Sequence, residues 1–382
     1  MKKKPHLLCF LGDSPADPCG GLGERFIHLL PRLQQHFECS VTVLDRKTKK
    51  FNDITVLGYM RDQIPEKNPH AVMPAYWSEW ACKQYKDNPP DIVLGADHAC
   101  MLATYLTSQR FNAKFVAEFD LAMYSYQEII PAKDLDESTD MGRAARVQMA
   151  GYLQEEREAS TRADLVITCS EAYKRALPWK TKREAVAVFN GIDTAVWDRD
   201  LAPWQFKGDY KKNLVYIGRM NAQKGIAQLL DTQLPPGVAL HFVGGEVAGG
   251  MFEQVFQSTK RNKQHFHIPW TRGDSKIRIL KSANAIMMPS LHAPWEIVGL
   301  EAFAARSTLI TTHRNGISDY ADLSNSIHCE PEPKSIREAI ERRFAMSKED
   351  VKTMTDKAFE RAKIFTWDAA ADKMSKALLT LF

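Results

Sequence analysis

Short apolar runs recur along the chain, each closed by a polar or glycine-rich stretch. In the first half they are HLLCFLG, SVTVLD, ITVLGY, DIVLGAD, AKFVAEFD, DLVITCS and AVAVFNG. Runs of this length are short for an isolated helix and suit buried strands of a parallel sheet, whose two covered faces leave no polar alternation. Between several of them lie longer amphipathic stretches, GERFIHLLPRLQQHF and MGRAARVQMAGYLQEEREASTRA, which predict helices. Pro31 falls inside the first and predicts a kink or break there. Strand and helix alternating in this way predict a doubly wound α/β domain.

After AVAVFNG the pattern stops. The stretch DTAVWDRDLAPWQFKGDYKKN is polar, has little period, carries Pro203 and Gly208, and is expected to be a linker. Alternation then resumes with NLVYIGR, VALHFVGG, HFHIPW, ANAIMMPS, STLITT and SIHCEP. The expected architecture is therefore α/β with two Rossmann-like, doubly wound domains, residues 1–195 and 196–365, facing across a cleft. A last helix over 366–382 places Trp367, Ala371, Met374 and Leu378 on one face.

Composition narrows the class. The 382 residues suffice for two domains, and 44% hydrophobic with 26% charged residues describes a globular chain, not a disordered one. Lys and Arg number 51 against 47 Asp and Glu, so a net charge of +4 implies no nucleic-acid partner. Seven scattered cysteines, Cys9, Cys19, Cys39, Cys82, Cys100, Cys169 and Cys329, show no metal-ligand spacing and are expected to be reduced thiols. The apolar run after MKKK is shorter than a signal core, and no run nears the roughly 18 residues that cross a bilayer. A cytoplasmic protein is expected, with any membrane contact peripheral. The basic stretch KRALPWKTKRE around Trp179 could serve such a contact, although runs of this kind are more often solvated loops.

The chemistry concentrates where strands end. PSLHAPWEIVGLEAFAA, residues 289–305, reads as strand end, loop and helix. Ligands of open α/β sheets collect outside the carboxyl ends of strands, where a helix N-terminus offers free N–H donors and the positive end of its dipole. Glu301 would lie about one turn into that helix, either reaching a ligand at its mouth or simply favoured there by the dipole. In LVYIGRMNAQKGIAQLL, Gly218, Arg219, Lys224 and Gly225 occupy the turn after a strand, and the two cations could clamp a diphosphate. The spacing is not that of a P-loop. CGGLGERF brings Gly20, Gly21 and Gly23 between the first strand and first helix, either as a close-approach loop or as a plain turn. Phe26 stands where a dinucleotide fingerprint needs its third glycine, which argues against a dehydrogenase. Asp97 and His98 end the strand DIVLGAD; His98 could meet a sugar hydroxyl or could be a satisfied residue at a helix start.

Taken in order, these blocks resemble the retaining glycosyltransferases of family 4, which have the GT-B fold. The Gly-Arg and Lys-Gly pair around Arg219 and Lys224 resembles the family's pyrophosphate-holding residues, and the Gly20–Gly21 loop its donor- and acceptor-facing turn. VFNGIDTAVW, the turn holding Gly244 in LHFVGGEVAGG, and HRNGISDYAD resemble three further family blocks, the last with Asp319 in place of the usual acid. The 289–305 stretch resembles the family's glutamate signature, with Pro294, Trp295, Glu296, Ile297 and Val298 in the donor-facing loop and Glu301 on the nucleotide-facing glutamate. The other signature glutamate falls on Ala293, and a family glycine on Glu296. In the N-terminal half the strand that often ends in His-Asp or His-Gly here carries Phe119 before Asp120, which leaves Asp120 and His98 as catalytic candidates beside Arg219 and Lys224.

The resemblance implies transfer of a hexose from a nucleoside diphosphate sugar, GDP-mannose or UDP-glucose, to a hydroxyl of a glycan, glycolipid or glycoprotein, with retention at the anomeric carbon. It also implies that the last helix crosses back to the N-terminal domain. Two cations and a helix dipole can neutralise the departing diphosphate, so no metal and no other cofactor is expected. The alternatives are a nucleotide-sugar-binding protein without full activity, suggested by Ala293 and Phe119, and a sugar-nucleotide epimerase, against which the Gly-Arg and Lys-Gly pair argues.

Overall fold

The computed structural model describes residues 3–18, 20–45, 47–59, 69–126, 138–245 and 251–382. The chain forms two compact units, Met1–Asn190 with Trp367–Phe382, and Gly191–Thr366.

Among the described residues, the strands of the first unit are β1 (His6–Leu11), β2 (Glu38–Val43), β3 (Lys49–Phe51), β4 (Ile54–Gly58), β5 (Ile92–Ala96), β6 (Lys114–Phe119), β7 (Leu165–Thr168) and β8 (Val186–Ala187). They line up in the order β3-β4-β2-β1-β5-β6-β7-β8, parallel except for the antiparallel edge pair β3–β4. Its helices are α1 (Gly21–Leu33), α2 (Pro69–Gln84), α3 (His98–Phe111), α4 (Met123–Tyr126), α5 (Asp140–Arg162) and α6 (Glu171–Ala176). Helix α1 runs through Pro31 without a break. The proline sits in its last turn, where removing one backbone N–H and crowding one carbonyl disturbs little of the helix. Leu8, Phe10 and Val93 from the sheet pack with Trp77 of α2 and Cys100 and Ala103 of α3 in one core. The Trp77 indole N–H donates to Thr42 Oγ1 at 2.9 Å, which satisfies the one polar group of a wholly buried ring.

The second unit holds β9 (Lys212–Ile217), β10 (Val238–Val243), β11 (His265–Ile268), β12 (Ala285–Met288), β13 (Thr308–Thr311) and β14 (Ile327–His328). All are parallel, in the order β11-β10-β9-β12-β13-β14. Its helices are α7 (Thr194–Trp197), α8 (Ile226–Asp231), α9 (Phe252–Arg261), α10 (Gly273–Ser282), α11 (Ile297–Ala304), α12 (Pro333–Ala345) and α13 (Lys348–Ala362). Helix α7 places one helical turn in the expected linker, with Asp193 Oδ1 accepting from the Ala195 N–H at 3.1 Å as its N-cap. Leu214, Tyr216, Leu240, Phe242 and Met287 form the core with Ile336 and Ile340 of α12.

Helix α14 (Trp367–Leu379) packs on α1 within the first unit. Trp367 stacks on His28 at 4.5 Å, and Arg32 pairs with Asp368 at 2.5 Å. Among the described residues no helix is long and apolar enough to cross a membrane.

Both sheets reverse direction of growth once. In the first unit the reversal lies between β1 and β5, in the second between β9 and β12. Helices leave such a point on opposite faces, which opens a crevice at the carboxyl ends of the two strands. Gly218, Arg219 and Pro289 follow β9 and β12, while the Gly20 loop and Asp97 follow β1 and β5.

Candidate functional site

The turn after β9 is built around two backbone constraints. Gly225 has φ +72°, and a Cβ there would fall on the Pro289 carbonyl, so the turn and the 289–296 loop touch through bare backbone. Gly244, at the end of β10 with φ +154°, meets the Gly218 carbonyl in the same way. Between these contacts, residues Ala222–Lys224 form a short 3-10 turn. The Leu291 N–H donates to the Gln223 carbonyl at 2.9 Å and Gln223 Nε2 to the His292 carbonyl at 3.2 Å, tying the turn to the loop.

The two cations of this turn differ in state. Arg219 is exposed, and its guanidinium has no hydrogen-bond or ion-pair partner among the described residues. Lys224 Nζ lies 2.6 Å from Glu296 Oε1, which also accepts from Ser290 Oγ at 2.5 Å. Glu296 is the N-cap residue of α11, yet its carboxylate makes no capping bond and faces Lys224 instead. One of the two expected cations is thus neutralised by a carboxylate of the adjoining 289–296 loop, at the position where the resembling family has glycine.

Helix α11 begins at Ile297, so Ile297 and Val298 contribute the first N–H groups of its free end, and both are half-buried. Glu301 is its fifth residue, with Oε1 2.5 Å from Lys276 Nζ of α10. Its second oxygen, Oε2, is buried and has no hydrogen-bond partner among the described residues. Lys276 escaped the sequence reading. Its signal was a cation three and four residues before Ile279 and Leu280, on the edge of the apolar face of α10.

Other loop residues are structural. Trp295 is 6% exposed, and its ring meets Tyr320 and Phe365 edge-on, each at 5.1 Å. That ring is committed to the core of the unit instead of being presented to a ligand. The Tyr320 hydroxyl donates to the Glu296 carbonyl at 3.0 Å, and Gly299 leaves room for it, since a Cβ there would strike the hydroxyl. Pro294 is half-buried, and Ala293 is wholly buried with its carbonyl accepting the Gly316 N–H at 2.9 Å. Of the glycine-rich turn after β10, residues 246–250 lie outside the described residues, as does Cys19 of the first glycine-rich loop.

In the first unit, the N–H groups of Gly20 and Gly23 donate to Asp13 Oδ2 at 2.8 and 3.0 Å. Those two donors are therefore engaged by a side chain instead of standing free for a phosphate, and Gly21 between them has open space at its Cβ position. Behind the loop lies Arg25, fully buried, whose Nη2 is 2.6 Å from Glu118 Oε1 on β6. Its Nη1 donates to Asn190 Oδ1 at 2.8 Å and to the Phe189 carbonyl at 3.2 Å. Asp120 Oδ1 is 3.6 Å from Arg25 Nε, and neither Asp120 oxygen has a hydrogen bond among the described residues. Burial pushes the Glu118 and Asp120 carboxyls upward, and Arg25 opposes the shift in both.

Asp97, the N-cap residue of α3 at φ +68°, accepts the Leu121 N–H at 2.9 Å; burial and then Asp120 push its carboxyl up to about 8. Glu156 accepts the Met123 and Tyr124 N–H groups at 2.5 and 3.0 Å, and burial lifts it to about 7. His98 opens α3 with its ring 4.3 Å from Tyr152, and burial lowers it to about 4, which makes it a neutral imidazole at pH 7. The structure therefore gathers Asp97, His98, Asp120 and the Gly20 loop around the crevice of the first sheet, with Asp120 held by a buried cation. Arg25 was missed, although its spacing with Leu22, Phe26 and Leu29 puts a charge on the apolar face of α1.

Residues 199–361 match the family model described as Glycosyl transferases group 1. An uncharacterized glycosyltransferase of Methanocaldococcus jannaschii is 27% identical over 172 residues, 40% of this chain and 43% of that protein. The chain spans less than half the length of the curated relatives it matches. Among solved structures, the sucrose-phosphate synthase of Thermosynechococcus elongatus superimposes with a TM-score of 0.80 at 16% identity, covering 99% of both chains. The Anabaena protein HepE in complex with UDP and glucose does so with a TM-score of 0.75 at 15% identity, over 98% of this chain and 100% of that one. The fold is GT-B, as the sequence pattern and the resemblance led us to expect.

Proposed function

We propose that the protein is a retaining hexosyltransferase that uses a nucleoside diphosphate sugar and an acceptor hydroxyl on a glycan, lipid or protein. The acceptor oxygen bonds to the anomeric carbon, the bond from that carbon to the diphosphate breaks, and the acceptor proton passes to the departing diphosphate oxygen. Attack proceeds on the face the diphosphate leaves. The observation that carries this reading is the convergence at the β9–β12 crevice of Arg219, Lys224, the free end of α11 and Glu301, all inside the matched segment. Arg219 and Lys224 would take the diphosphate, and the α11 N–H groups the remaining charge. HepE, which shares the fold, was solved with UDP and glucose, so UDP-glucose is the first donor to test, with GDP-mannose beside it.

Because these side chains and one helix end supply the positive charge, donor hydrolysis or transfer is expected to persist in excess EDTA. Loss of turnover in chelator that manganese or magnesium restores would overturn that part of the mechanism.

A second reading, a nucleotide-sugar-binding protein of weak activity, is favoured by Ala293, which is buried and offers no carboxylate to a sugar. It predicts that the free nucleoside diphosphate binds about as tightly as the nucleotide sugar. Calorimetry compares the two, and a donor bound a hundredfold tighter, about 2.7 kcal/mol, would show that other residues hold the sugar and would favour the enzyme.

A further inference from the structure

Glu301 and Lys276 form a pair whose bonding is half complete. The Glu301 side chain is only 10% exposed, its Oε1 accepts from Lys276, and its Oε2 is buried without a hydrogen-bond partner among the described residues. A buried carboxylate oxygen left without a donor is costly, and the cost is recovered when a ligand supplies one. The Lys276 side chain is 27% exposed, and its ammonium carries three donors, of which Glu301 takes one. Acceptor and donor thus stand side by side near the free end of α11.

We propose that Lys276 is a specificity-determining residue that reads a vicinal diol together with Glu301: one hydroxyl donates to Glu301 Oε2 and its neighbour accepts from Lys276 Nζ. The diol is the ribose of the nucleoside diphosphate, so the inference rests on the nucleotide-sugar reading above. A carboxylate offers acceptors only, whereas Lys276 beside it adds N–H donors, so the pair meets one hydroxyl as an acceptor and its neighbour as a donor. A lone carboxylate would accept from either hydroxyl, whereas an ammonium beside it fixes which one donates and which one accepts. Lys276 also holds the Glu301 side chain in place before the ligand arrives, so less ordering remains to be done on binding.

The test is calorimetric titration of UDP, GDP and ADP, and of their 2′-deoxy forms, into the wild-type protein and into K276M, K276Q, K276R, E301Q and K276M/E301Q. K276M and K276Q are expected to weaken binding of the preferred ribonucleotide roughly tenfold, the loss of about one charge-assisted hydrogen bond. The 2′-deoxy form should lose less than about threefold, because it has one hydroxyl fewer to place. K276R should recover most of the ribonucleotide affinity, and K276M should add little once Glu301 is already glutamine. Equal losses for ribose and deoxyribose forms, or full additivity of the two substitutions, would overturn the proposal and leave Lys276 as a tie between α10 and α11. If the wild-type protein binds none of these nucleotides in either form, the nucleotide-sugar reading itself fails, and the role of Lys276 fails with it.

Discussion

Arg25→Met is expected to cost the first unit about 3–5 kcal/mol at neutral pH, the range for removing one partner of a buried ion pair. The guanidinium is fully buried, donates from Nε to Glu118 Oε1 at 2.8 Å and stands 3.6 Å from Asp120, so methionine fills its volume and leaves two buried carboxylates without a cation. The loss should depend on pH with a definite sign. Burial raises the folded-state values of Glu118 and Asp120 above their unfolded values, and Arg25 restrains that rise. Without Arg25 both go higher, so over a wider range the folded variant keeps protons that its unfolded chain has released. Stability carried by a raised carboxyl is complete below its unfolded value and disappears as pH climbs through the folded one. The deficit relative to wild type should therefore be smallest near about pH 5 and largest near about pH 8. Hydrogen exchange of the β6 amides at both ends of that range measures it. A deficit of the same size at both would mean that the loss is one of packing.

The second large effect concerns binding. Arg219→Ala and Lys224→Ala are each expected to weaken nucleoside diphosphate affinity by about 1.5–3 kcal/mol, the range for hydrogen bonds to a charged group. Their effects on folding should differ. Arg219 is exposed and its guanidinium unpartnered among the described residues, so its removal should leave the melting temperature unchanged. Lys224 neutralises Glu296, whose side chain is 6% exposed, and its loss should also cost about 1–3 kcal/mol of stability. Calorimetry paired with thermal unfolding separates the two contributions. Wild-type affinity in both folded variants would move the phosphate site away from the β9–β12 crevice.

Much of the architecture was legible because buried parallel strands announce themselves as uninterrupted apolar runs, and the turn after each one shows its glycines and charges. Strand β3 was not, since Lys49–Phe51 carries two lysines and exists through its antiparallel pairing with β4. The positions of Arg219 and Lys224 in the turn after β9, and of Glu301 about one turn into the helix after β12, followed from chain order alone. Their partners did not, because Glu296 and Lys276 are brought to them by tertiary packing from other turns and helices. Trp295 shows the opposite limit. An aromatic ring in a ligand-side loop looks the same in sequence whether it faces a ligand or packs under the loop, and only the positions of Tyr320 and Phe365 decide. Arg25 and Glu118 needed both kinds of information: a charge on an apolar helix face says that a partner exists, and β6 says which.

The way α14 completes the first unit has a consequence for the order in which the chain can fold during synthesis. Gly191–Thr366 is one continuous stretch, whereas Met1–Asn190 must wait for Trp367–Phe382 before its surface at His28 and Arg32 is covered. The half translated first is therefore the half finished last, and the later one can close while its predecessor still exposes the seat for Trp367. During that interval a chaperone, or α14 of another chain, has access to the seat, so a pool of slowly translated chains should be richer in exchanged dimers than one translated fast.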